Sequence, residues 1–250
     1  MKSWLLALCM LCTLPEGILD IAKRYLEVPY VAGTLEAEGE EQLIINEDSM
    51  DCTTFVELSV AHWVVTKRDI SFEKQVQQLR YREGVIDGYL SRLHYFTDWV
   101  NENTRNGVWY ELEPTPDDVS LWHTDTLNLS FMSEHPQNYP YLKANVWAVD
   151  LMRTIEKRYT QQPIHYIGKE YLNRTPEELP IQNGDILALV TTIDGLDVTH
   201  LGFAIWKDKT LHLMHASMTH GKVVIDERSL YDYLKNRKSC PGVRVVRLTN

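Results

Sequence analysis

The hydrophobic period of the chain changes once, and that change sets its fold class. Up to about residue 182, apolar residues recur mainly at helical spacing. Helices are expected over 15–26, with Ile18, Ile21, Ala22 and Tyr25 on one stripe, and over 49–67, with Val56, Val60 and Trp63 on another. Helices are also expected over 71–82, 89–104 and 145–159. Leu43-Ile44-Ile45 is a short strand candidate. From residue 185 onward the pattern becomes short β-type runs, DILALVTT, THLGFAIW, LHLMHAS, KVVID and VRVVRL, divided by Asp, Gly and Lys turns. Helices followed by an antiparallel sheet make an α+β architecture. Residues 15–250 then form a single catalytic domain, with 68–182 as a helical insert.

The chain has 250 residues, of which 44% are hydrophobic, enough for a real core. Its formal net charge of −10 argues against a nucleic-acid partner, because binding phosphates requires a basic face. Residues 1–14 hold one lysine and an apolar run, SWLLALCMLCTL, ending before Pro15. This resembles a short secretory signal and falls short of the roughly 20 residues of a membrane span. Export to the periplasm or cell envelope is expected, or a cytoplasmic location if the leader is not a signal. A monomer is favoured.

Four cysteines are present. Cys9 and Cys12 fall in the apolar leader and lack the context of a redox motif. No second pair at metal-ligand spacing accompanies them, so no structural zinc is expected. Cys52 and Cys240 remain, either as one disulfide or with Cys52 a free reactive thiol.

Cys52 stands in MDCTTFVEL, where Ser49 and Asp51 are both good helix caps. At the first helical turn, unpaired N–H groups and the helix dipole favour an anion. A thiol there is expected to be acidified toward neutrality. A buried structural cysteine is an equally good reading of position alone.

Nine histidines compete for the role of base. His62 lies ten residues along the same helix, about 15 Å away, and is excluded. His200 and His215 lie on neighbouring strands. If the hairpin pairs Trp206 with Leu211, His200 faces Ser217 and His215 faces Gly202. The two histidines then sit diagonally on one face, within side-chain reach, with space left by Gly202. A slip of one residue would separate them. Nucleophilic amide cleavage needs this trio: a thiol, a histidine that shuttles its proton, and a polar group that fixes the ring. It requires neither metal nor cofactor.

The ordered fragments VPYVAG, DC opening a helix, NGDILALV, THLGFAI and LMHAS resemble the NlpC-type family of papain-like bacterial cell-wall cysteine hydrolases. PYVAGTLE, DCTTFVE, SRLHYFTDW and GDILALVTT resemble more closely its N-acetylmuramoyl-L-alanine amidase-like branch. The resemblance implies a papain-like fold with the nucleophile on an N-terminal helix packed on the sheet. It implies Cys52, His200 and His215 as catalytic residues. It also places Tyr30, Asp51, Arg92 and His94 at the substrate, with Tyr30 near the oxyanion position and Arg92 suited to a carboxylate. The implied partner is a muropeptide or peptidoglycan fragment, cut at the muramoyl–L-alanine amide. A stem-peptide endopeptidase of the same fold and an inactive peptidoglycan-binding module are the alternatives. The large insert favours a narrow cleft and a small fragment.

Overall fold

A computed structural model describes residues 17–36 and 39–249. The leader expectation, Cys9 and Cys12 included, lies outside the described residues. The described chain begins with α1 (Ile18–Lys23), α2 (Cys52–Val65), α3 (Phe72–Arg80) and α4 (Phe96–Arg105). Strands β1 (Trp109–Glu111) and β2 (Trp122–Leu127) precede α5 (Phe131–Glu134), α6 (Pro140–Ala144) and α7 (Val146–Lys157). Strands β3 (Gln162–Gly168), β4 (Ile186–Val190), β5 (Val198–Lys207), β6 (Thr210–Ser217) and β7 (Lys222–Ile225) follow. Helix α8 (Leu230–Leu234) and strand β8 (Gly242–Leu248) complete the order.

All eight strands join one antiparallel sheet in the order β2-β3-β8-β4-β5-β6-β7, with β1 also on β8. Strand alternation sends Ile186, Ala188, Leu201, Phe203, Met214 and Ala216 to one face, against α1, α2, α3 and α4. Leu187, Leu189, Ala204, Leu211 and Leu213 go to the other face, against α8. Helix α2 is buried along most of its length, including Phe55, Val56, Leu58 and Val60, and Phe55 meets Phe203 edge-on. Apolar residues surround it because it runs through the core rather than along the surface.

The five β-type runs of the last third all form strands. The insert differs from expectation: it is mixed, not helical. Its strands β2 and β3 extend the main sheet through Ile167↔Val243 and Gly168↔Gly242, and β1 pairs with β8. A third apolar cluster, with Leu142, Met152 and Ile164, packs α6 and α7 against this extension. Residues 43–45 form no strand. The helix expected over 89–104 starts only at Phe96. Before it, Tyr89–Ser91 make a single 3-10 turn, and Arg92 pairs as extended backbone with Tyr81. Leu93 N–H donates to the Arg80 carbonyl, so pairing with the end of α3 overrides helical spacing there.

Candidate active site

Cys52 is the first residue of α2 and Asp51 is its cap. The Asp51 carboxylate accepts from Thr53 N–H at 3.0 Å and Thr54 N–H at 2.8 Å, while Asp51 N–H donates back to Thr54 Oγ1. Asp51 is thereby committed to holding the helix start. The preceding residue, Met50, is buried and tied to the Pro29–Val31 segment: Met50 N–H donates to Pro29 O, and Val31 N–H to Met50 O. That segment brings Tyr30 beside the thiol. The Tyr30 phenol is shifted upward by burial and by the nearby Cys52 and Asp51, so it remains a protonated donor at neutral pH.

Cys52 and Cys240 are both free. Cys240 is buried, with its thiol toward the Gly242 carbonyl.

The acidic thiol expected from the helix start is not found. Burial, then the Asp51 charge, pushes the Cys52 thiol up to about 11, against the smaller opposing pull of the Leu201 backbone and Thr53. Desolvation disfavours a thiolate, and the capping carboxylate that completes the helix start adds its own repulsion. The dipole of one helix end does not outweigh both.

Strands β5 and β6 pair Trp206 with Leu211, the register on which the histidine argument depends. A Cβ on Gly202 would lie 2.9 Å from His215 Cβ and 2.5 Å from the Met214 carbonyl, so this position requires glycine for close approach. His200 Nε2 then lies 2.6 Å from His215 Nδ1, with the rings nearly perpendicular. Both rings are kept neutral. Burial and the neighbouring His215 lower His200 to about 3, and burial lowers His215 to about 4 against the pull of Asp226.

The β4–β5 ladder shifts register between Leu189 and Val190. Beside this irregularity, residues 196–201 turn toward the start of α2. Together with Cys52, Thr53, His94, Phe96 and Trp99 they line a cleft of about 140 Å³. Cys52 and His200 share its wall and are not hydrogen-bonded to each other. Catalytic contacts commonly tighten only when substrate is bound.

His94 also lines this cleft. Its Nε2 lies 2.8 Å from the Tyr89 carbonyl, which makes Nε2 the donor and leaves Nδ1 an acceptor. Burial, then Arg92, lowers His94 to about 3, so it is neutral. The structure does not bring Arg92 to this cleft. Its buried guanidinium pairs with Glu36 at 2.7 Å and Glu41 at 3.5 Å, and donates to Leu35 O. It lines a separate cavity of about 710 Å³ with Tyr89 and Tyr141. Two carboxylates already match its charge there.

Two acidic residues escaped the sequence reading. Asp197 lines the cleft, but its carboxylate accepts from Thr97 N–H and Val198 N–H. Asp226 follows β7 and is buried, with Oδ2 3.8 Å from His215 Nε2. An aspartate ending the apolar run KVVI was the available signal.

Comparison with known proteins gives the family. A family model described as AmiA-like, N-acetylmuramoyl-L-alanine amidase-like, matches residues 20–243. The chain belongs to the N-acetylmuramoyl-L-alanine amidase-like family. A solved N-acetylmuramoyl-L-alanine amidase from Bacteroides uniformis is 41% identical with a TM-score of 0.85, over 94% of this chain and 99% of that one. A Bacteroides fragilis structure, described only as a candidate xylanase, is 42% identical with a TM-score of 0.83, over 91% of this chain and 99% of that one. A Legionella pneumophila protein, 22% identical with a TM-score of 0.68 over 93% of this chain and 88% of that one, shares the fold. No curated protein matches the chain.

Proposed function

We propose that this member of the amidase-like family is a cysteine hydrolase. On this reading it cuts the amide between the lactyl group of N-acetylmuramic acid and L-alanine in small muropeptides. The observation that carries the reading is the shared cleft of Cys52 and His200, with His200 bonded behind to His215. This reading takes the fold as papain-like and NlpC-type. Its support is the order of parts: a thiol opening a buried helix, then a base and an orienting group on adjacent antiparallel strands.

The resting thiol and imidazole are both neutral, so the thiol is activated during attack rather than beforehand. His200 Nδ1 takes the Sγ proton as sulfur bonds to the lactyl carbonyl carbon. Thr53 N–H and Thr54 N–H are taken up by Asp51, so the Cys52 N–H and the Tyr30 phenol are the donors offered to the developing oxyanion. His200 then gives its proton to the nitrogen of L-alanine, the C–N bond breaks, and a thioester remains on Cys52. Water, deprotonated by His200, attacks the thioester. The thiolate leaves, regains its proton, and the muramoyl carboxylic acid is released. His94 Nδ1 offers an acceptor for a substrate N–H or O–H at the mouth of the cleft.

The cleft is small and its apolar wall includes Phe96 and Trp99, which favours a fragment over the polymeric wall. Glycoside cleavage, suggested by the Bacteroides fragilis description, requires two carboxylates facing each other across a sugar. Among the residues that line the cleft, Asp197 is the one carboxylate, and it is occupied by backbone amides. On this reading the leader at 1–14 would carry the enzyme to the envelope. Among the described residues no helix is long and apolar enough to cross a membrane.

Mass spectrometry after incubation with a defined disaccharide-peptide tests the reading. Release of a free stem peptide beginning with L-alanine is expected. A shorter peptide makes the protein an endopeptidase, and binding without turnover makes it a binding module.

A further inference from the structure

The His200–His215 contact fixes which nitrogen of each ring carries a proton only if something fixes His215 first. Two neutral imidazoles sharing one hydrogen bond have two arrangements. In one, His200 Nε2–H donates to His215 Nδ1, and His200 Nδ1 is free to accept a proton. In the other, His215 Nδ1–H donates to His200 Nε2, His200 Nδ1 carries a hydrogen, and the ring cannot act as a base on that side. The far nitrogen of His215 decides between them. That nitrogen, Nε2, is buried and has no hydrogen-bond partner, and it faces Asp226 Oδ2 at 3.8 Å. His215 and Asp226 are 1% and 2% exposed, so water does not screen this pair.

We propose that Asp226 is a positioning residue that selects the reactive tautomer of His200 by way of His215. The inference rests on the proposed cysteine mechanism. A carboxylate attracts an N–H and repels a lone pair, so it holds the His215 proton on Nε2. Nδ1 is then an acceptor, His200 Nε2 must donate, and His200 Nδ1 is left to take the thiol proton. Asp226 is itself fixed. Its Oδ1 accepts from Arg228 N–H and Nε, each at 3.0 Å, and its Oδ2 from Arg228 Nη2 at 2.8 Å. Arg228 is half exposed and its ring-side neighbour is Tyr233, which also packs edge-on against His215. The chain of groups runs from Asp226 through His215 to His200 and ends at the cleft.

The Arg228 donors make the test sharp. In Asp226→Asn, the amide oxygen is retained at the Oδ1 position, where two donors converge. The NH₂ group then takes the Oδ2 position, where it meets one Arg228 donor instead of two, and is turned toward His215 Nε2. That nitrogen becomes an acceptor, the proton moves to Nδ1, and His200 is locked in the unreactive tautomer. Asp226→Ala leaves the choice unbiased. The expected order of kcat is therefore wild type, then Ala, then Asn, with Asn lowered at least tenfold below Ala and KM nearly unchanged. A merely structural role predicts the reverse, because Asn is the closer mimic of Asp. Nitrogen-15 NMR of labelled histidine in the wild-type chain reads the tautomers without any substrate. Protonated Nε2 on both His200 and His215 is expected, switching to Nδ1 of His215 in Asp226→Asn. Protonated Nδ1 on wild-type His215, or Asn as active as Ala or more so, overturns the proposal. Correct tautomers in a chain that turns over no muropeptide would overturn the proposed function instead.

Discussion

His200 Nε2 lies 2.6 Å from His215 Nδ1 across a pair of strands that only glycine at position 202 allows to come so close. The first imidazole borders the cleft shared with Cys52, while the second is buried beneath it. The proposed chemistry and the packing therefore meet in a single contact.

Substitutions along this line should be graded. Cys52→Ala should abolish turnover of a muropeptide. His200→Ala should lower kcat on the order of 10³-fold or more, and His215→Ala by less, because an orienting group contributes less than the proton shuttle. Steady-state kinetics of the three variants checks the order, and equal losses at 200 and 215 would contradict it.

Gly202→Ala tests the contact from the backbone side. The added methyl would meet the Met214 carbonyl at 2.5 Å, so the β5–β6 ladder must open locally. An overpacking cost of about 1–3 kcal/mol is expected in thermal or urea unfolding. A loss of activity larger than that for a surface Gly→Ala change should accompany it.

The neutral resting thiol makes a prediction about alkylation. Burial and Asp51 hold the Cys52 thiol at about 11. Its reaction with iodoacetamide should therefore rise about tenfold per pH unit through pH 7–9, as the thiolate fraction grows. A plateau near neutral pH would mean a thiolate–imidazolium pair instead. Asp51→Asn should raise the rate at pH 7 by removing the repelling charge.

Acid should destabilise the fold through the same groups. His94 and His200 are lowered to about 3 and His215 to about 4, chiefly by burial. Unfolded histidine takes up its proton near 6.5. Between about pH 6.5 and 4 the unfolded chain binds more protons than the folded one, so stability falls as pH falls. Each histidine contributes a slope of up to about 1.4 kcal/mol per pH unit. His94→Gln should flatten the pH dependence of the melting temperature in that window. An unchanged slope would mean that His94 is already protonated in the fold.

A buried ion pair between α2 and α3 offers a stability test separate from turnover. Arg80 Nε donates to Glu57 Oε2 at 2.8 Å, and both side chains are almost fully buried. Glu57→Ala leaves the guanidinium unpaired and should cost about 3–5 kcal/mol in denaturant unfolding. Glu57→Leu combined with Arg80→Met should recover most of that loss, since neither charge then remains buried.

How much of this could be seen in the residues varies along the chain. The helix opened by Asp51-Cys52 and the β5–β6 hairpin were legible because capping chemistry and strand alternation are local. Strand β2 was not: Trp122–Leu127 exposes its four central residues at the sheet edge, so it lacks the alternation that marks a half-buried strand. The surroundings of Arg92 were not legible for a different reason. Its partners Glu36 and Glu41 are more than fifty residues away, and sequence spacing does not record that pairing. The sign of the Cys52 shift was missed because a helix start signals a favourable dipole, whereas burial is a property of the whole fold. Asp226 showed only as the end of the KVVI run, and its place beside His215 follows from the β6–β7 pairing of Met214 with Ile225.

The segment that positions Met50 ahead of Cys52 has a second role. Residues 27–30 run along β7: Glu27 N–H donates to Val223 O, Val223 N–H to Val28 O, and Tyr30 N–H to Gly221 O. Those bonds occupy backbone groups that an edge strand would otherwise offer to another chain. The same stretch grips Met50, the residue two before the thiol. Cover for the sheet edge and the placement of Cys52 are thus carried by one short length of backbone, so damage to it should compromise solubility and the cleft together.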